Sequence, residues 1–253
     1  MYTPTVSIPN EFDGVRALVT GGSRGIGAAI AQRFLDGGAS VVTTARSRTE
    51  DTPAGSTFVD GDVSSAAGAQ RLVDAALKSL GGLDVLINNA GAAQVHMGGA
   101  STIPDDEWQQ SLDVNFLSAV RILNATLPAL KESDHASVVN IAATGALTAP
   151  PPLLHYGTAK AALLVYSKGM AAELAPAGIR VNSVTPGSVR TPGGTAVMQT
   201  IADAMGAPRE AILANIPLGR VGDPRDIAEI VAFLSSARAQ WITGQNVVVS
   251  GGE

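Results

Sequence analysis

Arg16-Ala-Leu-Val-Thr-Gly-Gly-Ser-Arg-Gly-Ile-Gly-Ala-Ala-Ile-Ala-Gln-Arg-Phe-Leu-Asp36 is the stretch from which the fold is read. A short apolar run, Arg16 to Thr20, stops at a glycine turn, and an alanine-rich segment with helical spacing follows over 28–36. Strand, glycine turn and helix in that order are the setting in which closely spaced glycines mean phosphate binding. The glycines let the backbone turn sharply and approach a pyrophosphate, which sits at the positive end of the helix.

Outward from this unit the pattern repeats. Apolar runs at 40–44, 58–59, 83–87, 137–141, 180–184 and 246–249 read as strands. The fourth of the seven, 83–87, reads as fully apolar. Helical periodicity falls on 66–80, on a long stretch 106–130 containing Asn115, on the segment after the triple proline Pro150-Pro151-Pro152, and on 224–235. Strands alternating with helices predict an α/β fold, a doubly wound parallel sheet with helices on both faces. No repeat or linker divides the chain, so residues 14–253 are expected to form one Rossmann-type domain. Residues 1–13, with two prolines and no periodicity, are expected to be a tail.

Composition limits the function. The 253 residues carry a net charge of −5 with no basic block, which argues against a nucleic-acid partner. The absence of cysteine removes disulfide, thiolate and zinc-cysteine chemistry. No apolar run reaches the ~18 residues of a membrane span, and the start lacks the pattern of a signal peptide. No membrane association and a cytoplasmic location are the expectation.

Three places carry chemistry. The end of the second strand reads Ala45-Arg46-Ser47-Arg48. In a dinucleotide fold a carboxylate here would bond the ribose 2′-hydroxyl of NAD, whereas arginine suits the 2′-phosphate of NADP. With no acid at this end, and a second cation, Arg24, inside the glycine turn, the expected cofactor is NADP(H). Tyr156 and Lys160 stand four apart, hence one turn apart on one helix face. A nearby cation favours a phenolate, so the pair is read as able to exchange a proton with an alcohol near neutral pH. Asn115 inside a helix is a mediocre choice; it satisfies a backbone group or holds a water in a proton path. His96 and His155 tempt a catalytic role, but packing or solvent exposure is the plainer reading. The three histidines are too dispersed in sequence, with no adjoining carboxylate cluster, to argue a metal site.

With these motifs in order, the chain resembles a short-chain dehydrogenase/reductase over roughly residues 12–253. Thr20 to Gly27 matches that family's Thr-Gly-x-x-x-Gly-x-Gly, Asn88 to Gly91 its Asn-Asn-Ala-Gly, and Tyr156 to Lys160 its Tyr-x-x-x-Lys. Pro217 to Arg220 and Ile242 to Gln245 also fit. The resemblance implies a seven-stranded sheet, usually assembled as a tetramer, with a homotetramer or dimer expected here. It implies cofactor contacts from Gly21, Ser23, Arg24, Gly25, Ile26 and Gly27, and from Arg46, Ser47, Asp62 and Val63. Further cofactor contacts are implied from Asn89, Ala90 and Gly91, from Tyr156 and Lys160, and from Pro186, Gly187, Val189 and Thr191. Asp62 would meet the adenine, and Pro186-Gly187 and Thr191 would belong to the loop holding the nicotinamide. Tyr156, Lys160 and Asn115 would be catalytic, with Lys160 lowering the tyrosine pKa and Asn115 anchoring a relay water.

The chain departs from the family at the fourth catalytic position, a serine thirteen residues before the tyrosine, where Ala143 stands. Losing such a donor typically slows a reaction about 10²–10³-fold, roughly 3–4 kcal/mol. Thr144 restores the hydroxyl only if the loop has already turned, because neighbouring strand residues point to opposite faces. The last strand also ends in Ser250-Gly-Gly where relatives have Asp-Gly-Gly. Ala143, Leu153, His155 and His96 are expected around the substrate. A lid over 190–215, with Val197, Met198, Ile201, Met205, Ile212 and Leu213, should give the pocket an apolar wall. The expected activity is NADPH-dependent reduction of a mostly apolar ketone. The alternatives are an NAD(P)+-linked secondary alcohol dehydrogenase, or an NADP(H)-binding sensor or scaffold with weakened catalysis.

Overall fold

The computed structural model describes residues 8, 10–209 and 216–253. Seven strands lie in one parallel sheet: β1 (Arg16–Thr20), β2 (Ser40–Ala45), β3 (Thr57–Asp60), β4 (Val85–Asn88), β5 (Ser137–Ile141), β6 (Arg180–Pro186) and β7 (Asn246–Val249). Helices α1 (Gly25–Asp36), α2 (Ala66–Leu80), α3 (Asp105–Leu112), α4 (Ser118–Lys131), α5 (Gly145–Thr148), α6 (Leu154–Leu174), α7 (Pro192–Met205) and α8 (Pro224–Ser235) connect them. The strand order is β3-β2-β1-β4-β5-β6-β7. From β1 the chain builds outward in one direction to β3, then returns and builds in the other from β4. A crevice therefore opens beyond the C-terminal ends of β1 and β4, where such sheets bind ligands.

Strand alternation feeds two cores. Ala17 and Val19 pack with Ile30 and Phe34 of α1 and Val231 of α8, whereas Leu18 packs with Leu72 of α2, Leu123 of α4 and Leu174 of α6. Val85 and Ile87 follow the first set and Leu86 the second. A strand covered on both faces needs apolar side chains at every position, which is why these segments read as continuous rather than alternating runs. No helix among the described residues is long and apolar enough to cross a membrane.

Three expectations need correction. Residues 10–13 are not all tail: Phe12 is buried and its ring lies 4.4 Å from that of Phe34, while the Glu11 carboxylate bonds Arg33 and Arg238. Residues 1–7 and 9 lie outside the described residues. The stretch 83–87 is not uniformly apolar in its environment, because β4 begins only at Val85. Asp84, just before it, accepts bonds from Arg16 N, Nε and Nη2 at 2.8–2.9 Å and from Ser133 Oγ at 2.7 Å. Burial alone would raise the Asp84 pKa, but these donors outweigh it and hold the carboxyl at about 2. Finally, 106–130 is not one helix. A π-helical turn, Asp113–Leu117, separates α3 from α4, and it places Asn115 at the crevice.

Candidate active site

The glycine turn works as a close approach of backbones. Gly21 sits at φ +64°, and a Cβ there would lie 2.9 Å from Ala90 Cα; at Gly27 a Cβ would lie 2.2 Å from the Gly21 oxygen. Only glycine lets the two strand ends and the start of α1 meet this tightly. The ends of β1 and β4 are tied together by side chains. Asn89 Nδ2 donates to the Thr20 and Gly21 carbonyls, each at 3.0 Å. Thr20 Oγ1 accepts from the backbone of Asn89 and Ala90 at 3.0 and 3.1 Å. Arg24 caps α1 without a side-chain bond to it, leaving the helix N-terminus open to the cleft as an anion site. Thr49 and Thr52, which the sequence did not single out, donate their hydroxyls to the Ser23 carbonyl and pin the loop after β2 onto the turn.

Gly21, Ser23, Arg24, Gly25, Ile26 and Gly27 line one cleft with Arg46, Ser47, Asp62 and Val63. Arg24 and Arg46 are both exposed there. Asp62 Oδ1 accepts from Ser64 N at 2.8 Å, and the two Ser64 bonds, with a smaller contribution from Arg46, hold its carboxyl below the usual range. The tight glycine cradle and the open helix end fit the pyrophosphate of a nicotinamide dinucleotide, and two cations stand beyond it.

Across the crevice the catalytic candidates converge. Asn115 is 2% exposed. Its Oδ1 accepts from Ala92 N at 3.0 Å, and its Nδ2 donates to the Ala92 carbonyl at 2.8 Å and the Ser111 carbonyl at 3.1 Å. Of the two readings of Asn115, satisfaction of backbone groups is what the side chain visibly does, and its clamp on Ala92 accounts for the π turn at this point. Lys160, 3% exposed, reaches back from α6 to donate to the Ile141 carbonyl at 2.8 Å. A Cβ at Gly91 would stand 2.9 Å from Asn115 Oδ1 and 3.4 Å from Lys160 Nζ, so both groups flank one point of the β4 loop. Tyr156 lines the same cleft with its ring against Gly145.

The electrostatics differ from the expected lowering of the phenol. Burial pushes the Tyr156 hydroxyl up to about 12 and Lys160 down to about 8. Desolvation moves both groups, and the ammonium is directed at the Ile141 carbonyl. A phenol raised this far stays protonated through neutral pH, the form a proton donor needs.

Lys160 also makes stability depend on pH. Unfolded, it holds its proton to about 10.5; folded, it releases it near 8. Between these values the unfolded chain binds more protons, so stability rises with pH there and is lost as pH falls through about 8. From pH 7 to 9 this one group should add about 1.4 kcal/mol to the unfolding free energy. Urea titrations at both values should show that increment in the wild type and not in Lys160→Met; an equal increment in both would refute the assignment.

β5 ends at Ile141, but its hydrogen bonding to β6 runs on to Thr144. Ala142 N donates to the Val184 carbonyl at 2.8 Å and Thr144 N to the Pro186 carbonyl at 3.0 Å. Thr144 then adopts helical angles, φ −58° and ψ −27°. The chain thus turns at Thr144, and both Ala143 and Thr144 line the cleft. Leu153 and His155 line it too, as do Pro186, Gly187, Val189 and Thr191. Thr191 caps α7, accepting from Gly194 N at 3.0 Å. The Glu253 carboxylate, missed from sequence, accepts from Ser188 N at 2.6 Å and braces this loop. Val197, Met198 and Ile201 face the cleft from α7, whereas Met205 is exposed outside it. Ile212 and Leu213 lie outside the described residues.

The histidines are not dispersed in space, which corrects the sequence reading. His96 and His155, 59 positions apart, bring their rings to 5.4 Å edge to face, and His96 Nε2 lies 2.7 Å from Glu107 Oε2. Folding joins the β4 loop, α3 and α6, a proximity no local spacing encodes. His96 stands behind the cleft wall rather than in its lining; His135 is exposed elsewhere.

Comparison with known proteins agrees with this architecture. A family model described as Enoyl-(Acyl carrier protein) reductase matches residues 21–253. The 3-oxoacyl-(acyl-carrier-protein) reductase FabG of Vibrio cholerae is 33% identical over 248 residues, covering 96% of this chain and 98% of that protein. Dehydrogenase/reductase SDR family member 4 of Bos taurus is 36% identical over 252 residues, covering 96% and 88%. Among solved structures, ligand-free aldohexose dehydrogenase of Thermoplasma acidophilum matches with a TM-score of 0.85 at 29% identity, covering 97% and 96% of the two chains.

Proposed function

The chain belongs to the short-chain dehydrogenase/reductase family, and from that premise we propose that it is an NADPH-dependent reductase of mostly apolar ketones. The observation that carries the proposal is the placement of Tyr156 in the cleft one turn before a buried Lys160, across from a glycine cradle with two exposed arginines.

When bound, the reduced nicotinamide supplies the hydrogen and electron pair that the carbonyl carbon takes up. Tyr156 donates its hydroxyl proton to the carbonyl oxygen. Lys160 holds positive charge beneath the site and is available to the cofactor ribose. Asn115 fixes the Ala92 backbone and orders a water through which Tyr156 is reprotonated. The Thr144 hydroxyl bonds the substrate oxygen in place of the hydroxyl that Ala143 lacks. Arg24 and Arg46 bind the 2′-phosphate, Gly25 to Gly27 the pyrophosphate, and Asp62 and Val63 the adenine. The walls from Leu153 and α7 favour an apolar body, and the 3-oxoacyl group in the Vibrio protein's name is one ketone of this kind. The assembly in this reading is a homotetramer or dimer covering Val165 of α6, 75% exposed, and Trp241, 99% exposed; light scattering reads its mass.

The same groups serve the reverse direction, and the dehydrogenase named among the structural relatives keeps secondary alcohol oxidation as a second reading. The test is NADPH oxidation over a panel of apolar ketones with NADH in parallel. Turnover with NADPH and little with NADH is expected. Arg46→Asp should reverse the preference by about 10–100-fold, the worth of a charge-assisted phosphate contact. An unshifted preference would remove Arg46 from the 2′-phosphate site, and tight NADPH binding without turnover would favour a sensor.

A further inference from the structure

Beside the cleft, and outside the groups used above, three side chains from three elements converge. His96 comes from the loop after β4, Glu107 from the first turn of α3, and His155 from the first turn of α6. Each offers one donor atom, and the three donor atoms all lie within 4.8 Å of one another. His96 Nε2 and Glu107 Oε2 are already in contact at 2.7 Å.

The third member is under-satisfied. His155 is 3% exposed, and its Nδ1 is buried with no hydrogen-bond partner among the described residues. A buried polar atom left unmatched is unfavourable, and native structures rarely keep one without a reason. Burial, then the neighbouring His96, hold the His155 pKa below its usual value, with Glu107 opposing more weakly. Neutral imidazole is the form that ligates metal, and burial favours that form of the His155 ring. Its position is held by the edges of His96 at 5.4 Å and Trp108 at 6.1 Å. The His96 backbone is pinned on both sides: its N–H donates to the Pro152 carbonyl and its carbonyl accepts from Gly99 N, each at 2.9 Å.

We propose that His96, Glu107 and His155 form a binding site for a first-row divalent cation of the zinc type. Two imidazoles and a carboxylate suit such ions. Bonds of about 2.0–2.1 Å place tetrahedral donors about 3.3 Å apart. The His96–Glu107 contact would open slightly and the His155 edge would close, changes within reach of side-chain rotation. Three protein ligands leave a fourth position for water or a ligand atom. Because Glu107 and His155 line the cleft, that position opens toward it. A bound ion would tie the β4 loop, α3 and the start of α6 together one residue from Tyr156.

The site stands independently of the cofactor and of turnover, so its test reads metal directly. Purified protein free of any affinity tag is titrated with Co2+, followed by visible absorption and equilibrium dialysis. One ion per chain with intense tetrahedral-type bands, bleached by added Zn2+, is the expected result. Glu107→Gln, which can keep a hydrogen bond to His96 but loses the anionic ligand, should bind Co2+ at least about 10-fold more weakly and lose the bands. His96→Asn, at a partly exposed position, should do the same, with circular dichroism showing both variants folded. His135→Asn should bind as the wild type. The absence of a saturable band in the wild type, or unchanged binding in both Glu107→Gln and His96→Asn, would overturn the site and leave an ion pair with a packed histidine beside it.

Discussion

Tyr156→Phe is expected to lower kcat by about 10³-fold or more while leaving NADPH affinity and thermal stability close to wild type. The Tyr156 hydroxyl makes no hydrogen bond to the described residues, so removing it breaks no internal contact, and the phenylalanine ring keeps the packing against Gly145. What disappears is the proposed proton donor, and positioned acid catalysis is worth about 10²–10⁴ in rate. Stopped-flow binding and steady-state turnover separate the two effects. Thr144→Val should cost less, about 10²–10³ in rate, with binding again preserved. Turnover by Tyr156→Phe within a few-fold of wild type would remove the tyrosine from the chemistry. An unchanged Thr144→Val rate would leave the Ala143 position without a substitute hydroxyl.

Gly27→Ala is expected to weaken NADPH binding by at least about 100-fold and to destabilise the fold by roughly 1–3 kcal/mol. The added methyl would stand 2.2 Å from the Gly21 oxygen and 2.4 Å from Asn89 Nδ2. Neither neighbour can yield cheaply. The first is backbone, and the second holds the Thr20 and Gly21 carbonyls. Relief requires α1 to move off the β1 turn, which takes the helix N-terminus away from the phosphates it would bind. Fluorescence titration with NADPH and a thermal melt check both effects. Wild-type affinity in this variant would mean that the pyrophosphate does not sit on this turn.

The same two sites show what could be read in advance. The glycine turn was legible because its requirement is mostly local: a left-handed φ at Gly21 and the close approach of Gly27 to the Gly21 carbonyl six residues earlier both favour glycine. Tyr156 and Lys160 were legible because helical periodicity alone puts them on one face. Asn115 was noticed as a misfit, yet its helix read as continuous. The break at 113–117 follows from bonds to Ala92, 23 positions earlier in the chain, which no helical period reports. The expected lowering of the tyrosine pKa failed for a related reason. Proximity was visible in the spacing, but the direction of the Lys160 ammonium and the depth of burial were not.

The amino-acid sequence by itself determined the succession of apolar strands and helices, the parallel sheet they must form, the glycine turn and the spacing of the tyrosine and lysine. These follow from backbone conformation and periodicity, which act over a few residues. Only the tertiary structure decided that Glu11 and Phe12 join the core and that Thr49 locks the turn. It alone decided that the chain turns at Thr144, that burial raises the phenol to about 12, and that His96, Glu107 and His155 share one space. Each of these depends on groups brought together from distant positions, where desolvation and hydrogen bonding act through distance in space rather than along the chain.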